Sequence, residues 1–111
     1  MPETTKVFID KKSIVASVDE FFSANTLRVT VGTNCPQGGD SGHGGRTVLI
    51  FEDLGGTDLR CSVDSEAASY TKRIEVVLGG DSECDTFIQS LEFAANTLKL
   101  LQMAQATNTG Q

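Results

Sequence analysis

The 111-residue sequence predicts an α+β fold, an antiparallel β-meander of four or more strands packed on one long C-terminal helix. Three observations predict it. Leu27, Val29 and Val31 alternate with Thr26, Arg28 and Thr30, the period of two that marks a half-buried strand. Val48, Leu49, Ile50 and Phe51 form a continuous apolar run, which suits a central strand covered on both faces. Phe87, Leu91, Ala94, Leu98 and Leu101 recur at spacings of four and three, the seam of a helix.

The remaining elements fall around these three. Val7-Phe8-Ile9 and Ile14-Val15 flank the charged triplet Asp10-Lys11-Lys12 and read as an edge hairpin over 6–10 and 13–18. Residues 26–32 and 46–52 form the next two strands. Asp53-Leu54-Gly55-Gly56-Thr57 is a turn, and 57–63 is read as a returning strand with Leu59, Cys61 and Val63 inward. Residues 73–78 form a further strand with Ile74, Val76 and Leu78 on one face. Short links between successive strands favour antiparallel neighbours. By strand parity, Gly79-Gly80 is expected near the 53–57 turn. Ser82 is the expected helix N-cap, with Asp85 in the first turn near the positive end of the dipole. A helix from 82 to about 105 is on the order of 35 Å long, more than a sheet of six-residue strands can cover. Phe93, Leu100 and Ala104 add a second apolar line, which is either a wide core stripe or a face packed on a partner copy, and the doubly apolar strand 48–51 favours a homo-oligomer. One domain over 1–106 is expected, with 107–111 a disordered tail.

Composition excludes several classes. The net charge of −6 argues against duplex nucleic acid, whose binders use basic surfaces to neutralise phosphate. No apolar run approaches the roughly 20 residues that span a bilayer, so no membrane partner is expected. Met1-Pro2-Glu3-Thr4-Thr5 carries no secretory pattern. Three widely spaced cysteines, Cys35, Cys61 and Cys84, form neither a disulfide framework nor a C-x-x-C metal site. A cytoplasmic location and no metal or cofactor are expected. Cys61 and Cys84 read as small core residues.

One segment calls for a special explanation. Residues 33–45 read TNCPQGGDSGHGG, with five glycines in thirteen positions. Such a segment loses much backbone entropy on ordering, so tight turns or a closely approaching ligand should compensate. Successive glycine N–H groups can form an anion-holding nest, and Arg46 closes the run with a guanidinium able to fork onto phosphate. The candidate ligand-binding residues are Gly38, Gly39, Asp40, Ser41, Gly42, His43, Gly44, Gly45, Arg46 and Thr47. Arg28 and Arg60 are candidates to complete the pocket from a neighbouring chain, set against a plain role as cross-strand ion pairs with partners such as Glu75.

The segment lacks the Gly-Lys-Ser/Thr end of a Walker A loop, and a strand follows it where a dinucleotide fingerprint needs a helix. Gly39-Asp40-Ser41-Gly42 looks like the nucleophile segment of trypsin-like proteases. The chain is about half the length those enzymes need, and its one histidine, His43, lies two residues from Ser41. No catalytic residue is therefore assigned. A small hydrolase using His43 and Asp40 is the weakest reading.

An acidic chain of this size, with the glycine-rich segment 38–47 as a phosphate cradle and helix 82–105 as an assembly element, resembles the phage-encoded sponge proteins of the anti-Thoeris and anti-CBASS type. The resemblance implies non-enzymatic sequestration of a cyclic nucleotide immune signal at a subunit interface, in the host-cell cytoplasm. The alternative is a structural or protein-interaction subunit whose glycine-rich loop orders on a partner.

Overall fold

The computed structural model describes residues 2–36, 44–64 and 66–109, the last three as backbone only. Five antiparallel strands form one sheet in the order β1-β2-β3-β4-β7. They are β1 (Glu3–Ile9), β2 (Lys12–Phe22), β3 (Thr26–Thr33), β4 (Arg46–Gly55) and β7 (Arg73–Gly79). Between β4 and β7 the chain makes a separate two-stranded ribbon, β5 (Arg60–Cys61) with β6 (Ser69–Tyr70). One helix, α1 (Asp81–Thr109), completes the chain. The α+β meander with a long C-terminal helix is thus the observed architecture.

The edge hairpin expected at the N-terminus is present and longer than expected, pairing Glu3 with Val18 through to Ile9 with Lys12. Its two-residue turn, Asp10-Lys11, has φ of 50° and 67°. Positive φ at both centres is what a tight hairpin of this hand requires.

The core lies on the face opposite to the one that the 26–32 alternation suggests. Ile9, Ile14, Val48 and Ile50 form the buried cluster, with Val7 packed against it. By register, Thr30 pairs with Ile50 and Gly32 with Val48. Thr30 is therefore on the core face and buried, whereas Val31 is on the other face and 45% exposed. The reason is steric. A Cβ at Gly32 would sit 2.8 Å from the Cβ of Ala16. With no side chain there, β3 lets Ile14 of β2 meet Val48 of β4 across it, and the sheet curls around this face. Arg46 on β4 then reaches Asp10 in the β1–β2 turn at 2.8 Å, closing the curl at one end.

The expected strand at 57–63 does not join the sheet. Gly56, Asp58 and Asp64 all have positive φ, at 73°, 53° and 54°, which breaks an extended run. Only Arg60 and Cys61 are extended, pairing with Tyr70 and Ser69. Leu59 and Cys61 are half-buried, and Val63 is exposed. Removing one strand from the count reverses the direction of the next. Strand β7 therefore returns to the start of β4, pairing Gly79 with Arg46. Gly79-Gly80 lies at the glycine-rich end of the sheet, not beside the 53–57 turn.

Helix α1 starts at Asp81, one residue before the expected cap. Ser82 lies in the first turn, exposed, with its hydroxyl on Glu83. The helix runs past the expected end near 105, into the segment expected as a tail. Its 29 residues span roughly 43 Å at 1.5 Å per residue. Cys84 is buried and Phe87 half-buried where the first turns meet the sheet. Beyond them Leu91, Phe93, Leu98, Leu100 and Leu101 are all exposed. No helix among the described residues is long and apolar enough to cross a membrane.

Candidate functional site

The glycine-rich segment leaves the sheet through a constructed neck. At its base Asn34 and Arg46 exchange hydrogen bonds. The Asn34 N–H donates to the Arg46 carbonyl at 3.2 Å, and the Arg46 N–H donates to Asn34 Oδ1 at 2.7 Å. The Thr33 hydroxyl also reaches the Arg46 carbonyl at 3.2 Å and receives the Cys35 N–H at 3.1 Å. These bonds fix both ends of the segment to β3 and β4.

A second clamp comes from the start of α1. The Gly80 N–H donates to the Gly45 carbonyl at 3.0 Å, and Cys35 Sγ donates to the Gly80 carbonyl at 3.5 Å. Gly80 has φ of 124°, open to glycine and closed to other L-residues. Gly45 has no room for a side chain either. A Cβ there would lie 2.3 Å from Cys35 Sγ and 2.4 Å from Asp81 Oδ1. Asp81 is 2% exposed, a carboxylate enclosed where the helix begins and where the helix dipole favours negative charge. The requirement at Gly80 is conformational, and that at Gly45 is steric, set by the Cys35 and Asp81 side chains.

Of the candidate ligand-binding residues, Gly38, Gly39, Asp40, Ser41, Gly42 and His43 lie outside the described residues. Gly44, Gly45, Arg46 and Thr47 form the outgoing side of the neck. Arg46 and Thr47 are consecutive strand residues and so point to opposite faces. On the helix side, the Thr47 hydroxyl is 2.9 Å from that of Thr33 and 3.8 Å from Cys35 Sγ, and the residue is buried. On the curled side, Arg46 Nε donates to Asp10 Oδ2 at 2.8 Å and Nη1 to the Gly45 carbonyl at 2.8 Å. The two residues expected to share a phosphate are therefore divided by the sheet.

Arg28 and Arg60 lie elsewhere. Arg28 pairs with Glu52 near the far end of β4, roughly 20 Å along the strand from Arg46 at about 3.3 Å per residue. Its Nε and Nη2 both reach Glu20 Oε2, at 3.1 and 2.9 Å, and Nη1 lies 3.8 Å from Glu52. The hydrogen bonds it donates to Glu20 raise its pKa, so it stays a cation. It sits in an open depression of about 880 Å³ that Glu3, Glu20 and Glu52 also line. A phosphate would meet those carboxylates first. Arg60, on the β5–β6 ribbon, is held by Asp58 at 2.9 Å, and that hydrogen bond raises its pKa. Arg73 pairs with Glu75 at 2.9 Å, two residues along its own strand. Within one chain the four arginines do not converge.

The neck brings together Asp10, Asn34, Cys35, Gly80 and Asp81, none of them among the sequence candidates. A signal for part of this set was present. The tetrapeptide GGDS occurs at 38–41 and again at 79–82. The second copy supplies Gly80 and Asp81 to the clamp on Gly45. Between the neck and α1 lies a crevice of about 620 Å³ bordered by Thr33, Cys35, Pro36, Cys84 and Ile88. No group of three or more potential metal ligands occurs among the described residues.

Fold and neck together define a small α+β protein that presents a tethered glycine-rich segment at the head of a long, largely exposed helix. Comparison with known proteins adds no family to this description: no family model, curated protein or solved structure matches the chain.

Proposed function

We propose that the chain is a non-catalytic binding protein that holds a small phosphate-bearing ligand, with a cyclic nucleotide signal as the leading candidate, on the glycine-rich segment 38–47 at an interface between copies. The observation that carries this reading is the neck. Its hydrogen bonds tie both ends of the segment at the N-terminus of α1, beside Arg46. A segment so rich in glycine, anchored so firmly, is suited to offering backbone N–H groups to an anion. Arg28 and Arg60 are far from Arg46 within the chain, so a pocket using them draws them from a neighbour.

Arg46→Ala is a poor control, because it removes the guanidinium and its bridge to Asp10 together. The better pair is Arg46→Lys and Asp10→Asn. In a thermal-shift screen against cyclic dinucleotides, cyclic trinucleotides and cyclic ADP-ribose isomers, a ligand at 100 times its Kd stabilises the fold by about 2.7 kcal/mol. Lysine keeps the charge but loses the planar fork, so the shift should shrink in Arg46→Lys. It should grow in Asp10→Asn, where the guanidinium is released from its carboxylate. The ligand should be recovered chemically intact. Silence across the panel would sink this reading.

A second reading, a structural or protein-interaction subunit, is favoured by one specific observation. Phe93, Leu98, Leu100 and Met103 on α1 are each 66–70% exposed, a surface for a protein and not for a nucleotide. Capture of a defined protein partner by the wild type, lost on substitution within 38–46 and indifferent to nucleotides, would establish it.

A further inference from the structure

The chain exposes far more surface than its mass requires. Its accessible area is 8009 Å², against about 5,900 Å² for a folded monomer of 11.8 kDa on the usual scaling. Its radius of gyration is 16.4 Å, against about 13 Å for a compact chain of this length. The excess area, on the order of 2,000 Å², is more than twice the ~800 Å² that each partner gives to one standard interface. Surface of that extent suits more than one neighbour.

Among the described residues α1 exposes Leu91, Phe93, Leu98, Leu100, Leu101 and Met103, and its sequence says what kind of neighbour fits. Cys84, Phe87, Leu91, Ala94, Leu98 and Leu101 follow one another at spacings of 3, 4, 3, 4 and 3, an unbroken heptad seam. From 86 to 109 the helix carries two charges, Glu92 and Lys99. With Asp85 they are seven residues apart, so all three fall on one line along the helix. Phe93 and Leu100 form a second apolar line, also with a spacing of seven, outside the seam. A two-stranded coiled coil covers the seam alone and leaves Phe93 and Leu100 in water. A helix with apolar lines on two separate flanks is suited to burial on both. Partner choice is set by the positions flanking the seam, here Ile88, Ala95, Gln102 and Ser90, Thr97, Ala104. Since none of these is charged, nothing there repels a second copy of the same helix.

We infer that α1 is the core of a homo-oligomer of at least three chains, each helix packing its heptad seam on one neighbour and its Phe93–Leu100 line on another. The inference does not rest on the ligand reading, and its test contains no nucleotide. Sedimentation equilibrium of the full chain should give three or more times 11.8 kDa. The double variant Leu98→Glu/Leu101→Glu should fall to the single-chain mass. Phe93→Glu/Leu100→Glu should stop at two chains, the seam being intact. Lys99→Glu, on the charged line, should keep the wild-type mass. A wild type of one or two chains would overturn the inference and assign the helix to a different protein. So would seam or second-line variants that keep the full wild-type mass, or loss of assembly in Lys99→Glu. The wild-type mass decides the matter even if a variant fails to fold.

Discussion

At the scale of single residues, the functional end of the molecule is governed by where a side chain is forbidden. Gly45 touches Cys35 and Asp81 through positions a Cβ would occupy. Gly45→Ala forces two enclosed side chains aside, so it should cost about 1–3 kcal/mol, the range for overpacking a filled site. Urea denaturation should show a lower midpoint with an unchanged slope. The opposite change is available in the first hairpin. Lys11 is held at φ of 67°, where a Cβ is penalised by roughly 1–2 kcal/mol. Lys11→Gly removes that penalty and should stabilise the protein by up to about 1 kcal/mol, again as a shift in urea midpoint. Asp10 shares the turn geometry but holds Arg46, so glycine there should not stabilise in the same way.

At the scale of elements, legibility in the sequence followed how far each element's pattern depends on its own residues. The edge hairpin, the strands at 26–33 and 46–55 and the long helix were legible because period and turn chemistry are local. The inward face of β3 was not. Leu27, Val29 and Val31 carry the apolar alternation, yet the core forms over Thr30 and Gly32 because their small size lets Ile14 and Val48 meet. That depends on β2 and β4, which the alternation of β3 cannot register. The strand expected at 57–63 failed for a local reason that composition hides, since Asp58 and Asp64 take up the left-handed conformation. Its loss turned β7 around and brought the second GGDS copy to the neck. At the candidate site, the flanks Gly44 to Thr47 were read from sequence, whereas Asp10, Asn34 and Asp81 meet them only through tertiary contact. Helix α1 gives this scale its own prediction. A helix end with no cover exchanges its amide protons readily, whereas one inside an assembly is protected. Amides of residues 98–106 should exchange slowly in the wild type and at least tenfold faster in Leu98→Glu/Leu101→Glu, by hydrogen–deuterium exchange.

At the scale of the whole molecule, the chain is a small curled sheet with a buried cluster of Ile9, Ile14, Val48 and Ile50, and a helix that extends well beyond it. A core that small leaves a chain of this length marginal, and mass action through α1 would supply stability that the single chain lacks. Ligand capture is the central claim, and native mass spectrometry of the wild type after incubation with the cyclic nucleotide panel tests it most directly. The expected result is an assembly carrying a nucleotide adduct that is released at unaltered mass on denaturation. An assembly, or a single chain, that carries no adduct from any member of the panel would contradict it.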